Sequence, residues 1–312
     1  MYICNGIRHT NLPIDGMMEY ISVIDFARKY GISERTARNY CASGKIEGAF
    51  LTGKTWNIPA DAELPKRKSS KTPVFPLLAT LREQKEMKLK GSIYHRTQID
   101  LTYNSNHIEG SKLTHDQTRY IFETNTIGIT DEAINVDDIV ETVNHFRCID
   151  YIIDHAEDKL SESLIKQLHL ILKTGTSDSK RDWFMVGDYK RLPNEVGGID
   201  TCPPKEVHQQ LKALLSEYNA IKGKSLEDIL DFHVRFEKIH PFQDGNGRVG
   251  RLIMFKECLA YHIVPFIITD DLKMFYYRGL HEWGHINGYL TDTILTAQDL
   301  YKEILKHLQI DV

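Results

Sequence analysis

Val136, Ile139, Val140, Val143, Phe146, Ile149 and Ile153 fall at spacings of three and four. Such a stripe lines one face of an α-helix and needs a partner to cover it. Similar patterns recur at Leu160–Lys173, Pro204–Ile221, Leu226–Ile239, Val249–His262, Leu272–Trp283 and Thr293–Leu308. Helices with that many apolar faces can bury them only against one another, so this part of the chain reads as an all-α bundle. One strand pair is expected, between Val186 and Pro203, where glycine and proline make a helix unsuitable. No repeat of roughly 20–50 residues is present, which excludes a solenoid.

The chain has 312 residues, 41% hydrophobic and 26% charged, values of a folded protein with about two domains. The apolar stretch Leu252 to Ile268 is interrupted by Lys256 and Glu257, so no membrane span is expected. Met1 to Gly16 has no continuous apolar segment, and no secretory signal is expected there. The five cysteines are scattered and form no CxxC pair, which reads as reduced thiols of a cytoplasmic protein and not as a zinc site. Charge is uneven. Residues 1–72 hold 11 Lys/Arg against 7 Asp/Glu, a balance of +4, and the remainder holds 28 against 36, or −8.

A joint is legible at Pro65–Pro73, where prolines bracket a basic, serine-containing run. Before it, Ser22 and Ser33 can each cap a short helix, with Gly31 as the turn between them. Ala49 to Pro59 alternates around Gly53-Lys54 as a small hairpin would. Tyr20-Ile21-Ser22-Val23, Ala27, Gly31-Ile32-Ser33 and Trp56-Asn57-Ile58-Pro59 resemble the winged helix-turn-helix of the MerR and excisionase type. That resemblance implies DNA as a partner, contacted by Arg35, Arg38 and Lys45 on or just after the second helix. Packing of the module onto a neighbour or another protein stays open.

Residues 240–251 read His-Pro-Phe-Gln-Asp-Gly-Asn-Gly-Arg-Val-Gly-Arg. Pro241 and the glycines break one helix, and another starts near Arg248. Gly245-Asn246-Gly247 therefore sits at a helix N-terminus, where free N–H groups and the dipole favour a phosphate. Arg248 and Arg251, three apart, can share a face and direct two guanidinium forks at phosphate oxygens. Asp244 is a hard oxygen ligand suited to Mg²⁺, and His240 is a candidate general base. Phe242 reads as a buried anchor of the loop.

This segment resembles the full signature of the Fic family, HxFx(D/E)GNGRxxR. The resemblance implies a mainly α fold: a Fic-type helical bundle with a small β-hairpin flap, here preceded by a small winged helix-turn-helix domain. It implies transfer of AMP from ATP to a Tyr, Thr or Ser hydroxyl of a target protein, or of the chain itself, with Mg²⁺ (or Mn²⁺) as cofactor. His240 would take the hydroxyl proton and Asp244 would hold the metal. The phosphate set would be Gly245, Asn246, Gly247, Arg248, Gly250 and Arg251. Val196, Gly197, Gly198 and Ile199 would form the flap that pairs with the target backbone. Tyr276 and Tyr277 would lie near the nucleoside.

Upstream, Ser105-Asn106-His107-Ile108-Glu109-Gly110 fits the inhibitory pattern (S/T)xxxE(G/N). Glu109, at the end of a short helix closed by Gly110, would pair with Arg251 in place of the γ-phosphate, with Ser105 steadying the helix. The expected parts are thus a winged helix-turn-helix at 1–62, a basic linker at 63–76, helices with the inhibitory motif at 77–135, the Fic core at 136–265 and C-terminal helices at 266–312. Two alternatives stand beside autoinhibited adenylyl transfer: removal of AMP by the same site, and a DNA-binding regulator with a nucleotide-sensing core. A homo-oligomer is left open.

Overall fold

A computed structural model describes residues 19–53, 55–65, 75–128 and 133–311. Most of the expected basic linker, Lys54 of the hairpin turn and Cys4 lie outside the described residues. Two compact units divide the chain, Met1–Thr72 and Pro73–Val312.

The first unit runs β1 (Tyr20–Ser22), α1 (Val23–Tyr30), α2 (Glu34–Ala42), β2 (Phe50–Thr52) and β3 (Thr55–Pro59). Ser22 and Ser33 accept from the Asp25 and Thr36 N–H groups, each at 3.2 Å. Caps of this kind stabilise a short helix by about 1 kcal/mol. β3 pairs antiparallel with both β1 and β2, placing Ile21 opposite Ile58 and Leu51 opposite Trp56. Val23, Phe26, Ala37, Cys41 and Ile58 form the small core beneath. β1 is a third strand that the alternation of residues 49–59 does not announce. Arg35 and Arg38 lie on α2, and Arg38 meets Glu34 at 3.6 Å with both side chains more than half exposed. The Lys45 ammonium lies 5.6 Å from the Tyr40 ring centre.

The second unit is helical: α3 (Pro76–Met87), α4 (Ile93–Ile108), α5 (His115–Thr124), α6 (Val136–Asp154), α7 (Glu162–Lys173), α8 (Val207–Ala220), α9 (Leu226–Ile239), α10 (Asn246–Ala260), α11 (Lys273–Glu282) and α12 (Gly288–His307). Between α7 and α8 stands a two-stranded hairpin, β4 (Glu195–Val196) with β5 (Ile199–Asp200). The α6 stripe is buried from Phe146 onward, while Val136 at its start is exposed. Ile149, Ile152 and Ile153 share one core with Ile165, Leu168 and Leu172 of α7, Phe232 and Phe236 of α9, and Val249 and Leu252 of α10.

α10 runs through the middle of the bundle and is buried nearly all round. Its charges are therefore all partnered: Lys256 Nζ meets Glu257 Oε1 at 2.7 Å, and Glu257 also accepts from the Tyr218 hydroxyl at 2.8 Å. Several boundaries differ from the periodicity. α7 and α8 begin later than expected, at Glu162 and Val207, while α10 begins earlier, at Asn246, because the glycine-bracketed run is already helical, and α12 begins at Gly288, ahead of its apolar stripe. α4, which carries Ser105, is a sixteen-residue helix and not a short one. Among the described residues no helix is long and apolar enough to cross a membrane.

Candidate active site

The site forms where α9 stops and α10 starts. His240 is the residue that ends α9, in the left-handed conformation with φ 52°. Gly245, at φ 83°, is the cap from which α10 departs, a conformation that glycine adopts without a Cβ penalty. The loop between them is held from several sides. Asn246 Nδ2 donates to Phe242 O at 2.9 Å, and its Oδ1 accepts from the Phe242 N–H at 2.8 Å. The Phe242 ring is fully buried and stacks on His169 with centroids 3.9 Å apart. His169 Nδ1 accepts from the Gly187 N–H at 2.9 Å, which leaves Nε2–H to donate to Asp244 O at 3.2 Å. Burial and the neighbouring Lys173 push the His169 pKa down to about 3, in keeping with a neutral ring.

The hairpin is anchored to the same loop. The Lys190 N–H donates to Pro241 O at 2.9 Å, and Asn194 Nδ2 donates to Phe242 O at 3.0 Å. Lys190 Nζ is buried against Asn194 Oδ1 and Thr201 Oγ1, both at 2.6 Å, and burial lowers its pKa to about 8. Val196 opposes Ile199 across Gly197-Gly198, whose positive φ values of 58° and 78° suit the tight turn of a two-residue hairpin. Val196 and Ile199 are exposed, at 47% and 61%, so the hairpin offers a free edge.

The His240 imidazole lies with Nδ1 3.3 Å from Glu237 O. That contact assigns the proton to Nδ1 and leaves the Nε2 lone pair free. Burial, aided by the Lys190 charge, holds the His240 pKa at about 4, so the ring is neutral at pH 7.

Four charges interlock beside it. Arg248 pairs with Glu141 of α6 and reaches Asp244 Oδ2 at 3.2 Å. Lys173, the last residue of α7, pairs with the other oxygen of Glu141 and donates to Asp244 Oδ2 at 2.7 Å. Burial opposes ionisation of Asp244, but Arg248 and Lys173 outweigh it and hold its carboxyl far below the usual range. Among the described residues no three His, Cys, Asp or Glu side chains converge as a metal cage. Asp244, ionised and half-exposed, is the carboxylate there that a hard divalent cation could reach.

One turn further along α10, Arg251 is buried against α4. Its Nε donates to Ser105 Oγ at 3.0 Å and its Nη2 to Ser105 O at 2.9 Å and to Glu109 Oε1 at 2.6 Å. Burial works against the Glu109 carboxylate, yet Arg251 and Arg248 together bring its pKa below the ordinary value. A Cβ on Gly247 would meet Glu109 Oε1 and would stand 2.9 Å from Arg251 Nη1, so the carboxylate lies against the first turn of α10. Gly110 follows directly, its N–H donating to His107 O at 3.0 Å.

Gly250 faces elsewhere. A Cβ there would come within 2.6 Å of Glu237 Oε1 and 2.7 Å of His233 Cε1, so its smallness makes room for the side chains of α9. His233 Nε2 lies 2.6 Å from the hydroxyl of Tyr276, which is a core residue. Glu237 is enclosed, and burial, with Glu109 nearby, raises its pKa to about 8. Tyr277 is 40% exposed and donates to Ile108 O at 3.3 Å. The structure thus brings His240, Asp244, Gly245, Asn246, Gly247, Arg248, Arg251, Ser105 and Glu109 together, with the hairpin tied to the same loop; Tyr276 is buried against Arg251 and His233, and Gly250 faces Glu237 and His233 of α9. Arg35, Arg38 and Lys45 belong to the first unit.

Glu141, Lys173, His169 and Glu237 escaped the sequence reading. A signal existed for two of them: His169 and Lys173 continue the buried stripe of Ile165, Leu168 and Leu172 at core-facing positions.

Residues 159–258 match the model of the Fic/DOC family. A protein adenylyltransferase Fic of Drosophila grimshawi is 27% identical over 186 residues, covering 57% of this chain and 36% of that relative. The chain therefore spans about a third of the curated relatives that it matches. A Fic-domain signalling protein of Bacteroides thetaiotaomicron superposes with a TM-score of 0.57 at 24% identity, over 73% of this chain and 94% of the other. A Fic family protein of Desulfovibrio desulfuricans gives 0.58 at 22% identity, over 77% of each chain. The bundle with its hairpin accordingly has the Fic fold.

Proposed function

We propose that the helical unit is a protein adenylyltransferase that moves AMP from ATP to a Tyr, Thr or Ser hydroxyl of a target protein or of itself. The observation that carries this reading is the neutral imidazole of His240 facing a helix N-terminus flanked by two buried arginines. The name of the Drosophila relative supports it.

The chemistry follows from the residues. His240 Nε2 accepts the proton of the attacking hydroxyl. The hydroxyl oxygen bonds to the α-phosphorus as the bond to the bridging oxygen of the β-phosphate breaks, and that electron pair leaves on pyrophosphate. N–H groups of the first turn of α10 receive the phosphates, and Arg248 faces the charge that develops on the leaving group. Asp244 would hold Mg²⁺ or Mn²⁺, whose charge would offset that of the phosphates. Val196 to Ile199 offer the edge to which an extended target segment adds as a strand.

Glu109 restrains the reaction by holding Arg251, the group on which a γ-phosphate would rest. Radiolabelled ATP tests both parts. Glu109→Gly should raise AMP incorporation well above wild type, and equal labelling of the two proteins would remove the restraint. His240→Ala should cut incorporation in the Glu109→Gly background by ~10²-fold or more. Labelling that persists unchanged would exclude His240 as the base.

A second activity is favoured by the place of Glu109 against the first turn of α10: its carboxylate would orient a water for removal of AMP from a modified protein. Release of AMP from a modified protein by the wild type, lost in Glu109→Gly, would establish removal as the main reaction. For the first unit, α2 with Arg35 and Arg38 is the element suited to a major groove, and salt-sensitive retardation of DNA fragments is the corresponding test.

A further inference from the structure

Lys173 has no place in the reaction described above, yet it is among the most completely enclosed charges of the site, its side chain 2% exposed. It sits in the last turn of α7, where a cation is favoured by the helix dipole, but its ammonium is turned inward. It donates to Glu141 and to Asp244 Oδ2, with Asp178 Oδ2 at 3.8 Å. Arg248 holds the second oxygen of Glu141 and reaches the same Asp244 oxygen. Three carboxylates thus face two fixed cations, and the oxygen of the proposed metal ligand is already engaged twice.

A neutralised carboxylate is a poor trap for a divalent ion. An incoming dication would meet carboxylates already paired and be repelled by two nearby positive charges that cannot move away. Nucleotide phosphates reverse that balance, because they bring negative charge that attracts the dication, Arg248 and Lys173 alike. The positive charge of Arg248 is required for phosphate contact in any case. Lys173 adds a second one from a different helix, through two carboxylates and not through any group that need touch the nucleotide.

We propose that Lys173 is a tethered cation that keeps Asp244 from taking up a divalent ion until a nucleotide is present, so that metal and nucleotide enter together. Lys173 is a positioning residue here, acting through Asp244 and Glu141. The inference rests on the reading of Asp244 as the metal ligand.

The test uses the full chain without nucleotide and follows Mn²⁺ by the loss of its free-ion electron paramagnetic resonance signal. Lys173→Met should bind Mn²⁺ roughly tenfold more tightly than wild type, or better, since one unit of opposing charge is gone. Lys173→Arg keeps the charge and should behave as wild type. Lys173→Met combined with Asp244→Asn should lose the gain. Where Lys173→Met does not fold, as judged by circular dichroism, Lys173→Gln takes its place. Equal Mn²⁺ affinity of wild type and the neutral variant, or a gain that survives Asp244→Asn, would overturn the inference. The result is independent of transfer activity. If Glu109→Gly labels with AMP while the Lys173 variants bind Mn²⁺ like wild type, only the role of Lys173 falls. If the Mn²⁺ pattern holds while Glu109→Gly never labels, only the transfer reaction falls.

Discussion

Arg248 and Arg251 lie one turn apart on α10, are equally buried and are each tied to a glutamate from another helix, yet the two ties are built differently. Glu141 comes from within α6, gives one oxygen to Arg248 and the other to Lys173, and is 13% exposed. Glu109 caps the C-terminal end of α4, gives one oxygen to a single arginine, and is 32% exposed. A carboxylate that bridges two buried cations cannot leave without forcing both onto Asp244. One at a helix end can turn to water and leave behind an arginine still held by Ser105. The first contact is a brace of the fold, and the second, in the proposed function, is a latch.

The largest effect should come from breaking the brace. Arg248→Ala leaves Glu141 and Asp244 sharing one buried ammonium and should cost about 3–5 kcal/mol of unfolding free energy in urea. Arg251→Ala frees a carboxylate that can reach water and should cost less than half as much. Equal losses would erase the distinction. Next is activity. Glu141→Gln should lower AMP incorporation in the Glu109→Gly background by roughly tenfold, the size of a lost charge-assisted contact. A rise on Glu141→Gln would make Glu141 a second latch.

The pH dependence comes third. Glu237 has a folded pKa of about 8, above that of a free glutamate, so the folded state binds the extra proton in between. Its contribution to stability is present at low pH and is lost as pH rises toward and through 8. Thermal melts should show wild type losing stability between pH 5 and 8 more steeply than Glu237→Gln, and parallel curves would mean that the carboxyl finds a partner when ionised. The smallest effect is expected of Ser105→Ala, which removes one acceptor from a buried guanidinium. It should cost ~1–2 kcal/mol and loosen the latch, raising incorporation a few-fold. No change in incorporation would leave Glu109 alone as the latch.

Much of this was open to reading along the chain, and the reason is local. α9 runs from Leu226 to Ile239 as its apolar spacing requires, and His240, Asp244 and Arg248 are close in space because they are close in sequence. The Ser105–Glu109 pattern could be paired with Arg251 only through the family resemblance, since 142 positions separate Glu109 from its partner. Glu141 could not be placed at all, and Lys173 only as a member of the buried stripe of α7. Only packing of α6, α7 and α10 brings the two together beside Asp244. Gly250 shows the converse. Its position in the motif suggested phosphate, while its surroundings show a close contact between helices.

The left-handed cap at the end of α9 carries one more implication. At φ 52° a glycine or asparagine would end the helix with less strain than the histidine that stands there. Judged by folding alone, His240 is a poor choice, so substitutions that remove it can make the protein sturdier while leaving it inert. Selection for thermostability in a laboratory library would therefore tend to discard the very side chain proposed as the base.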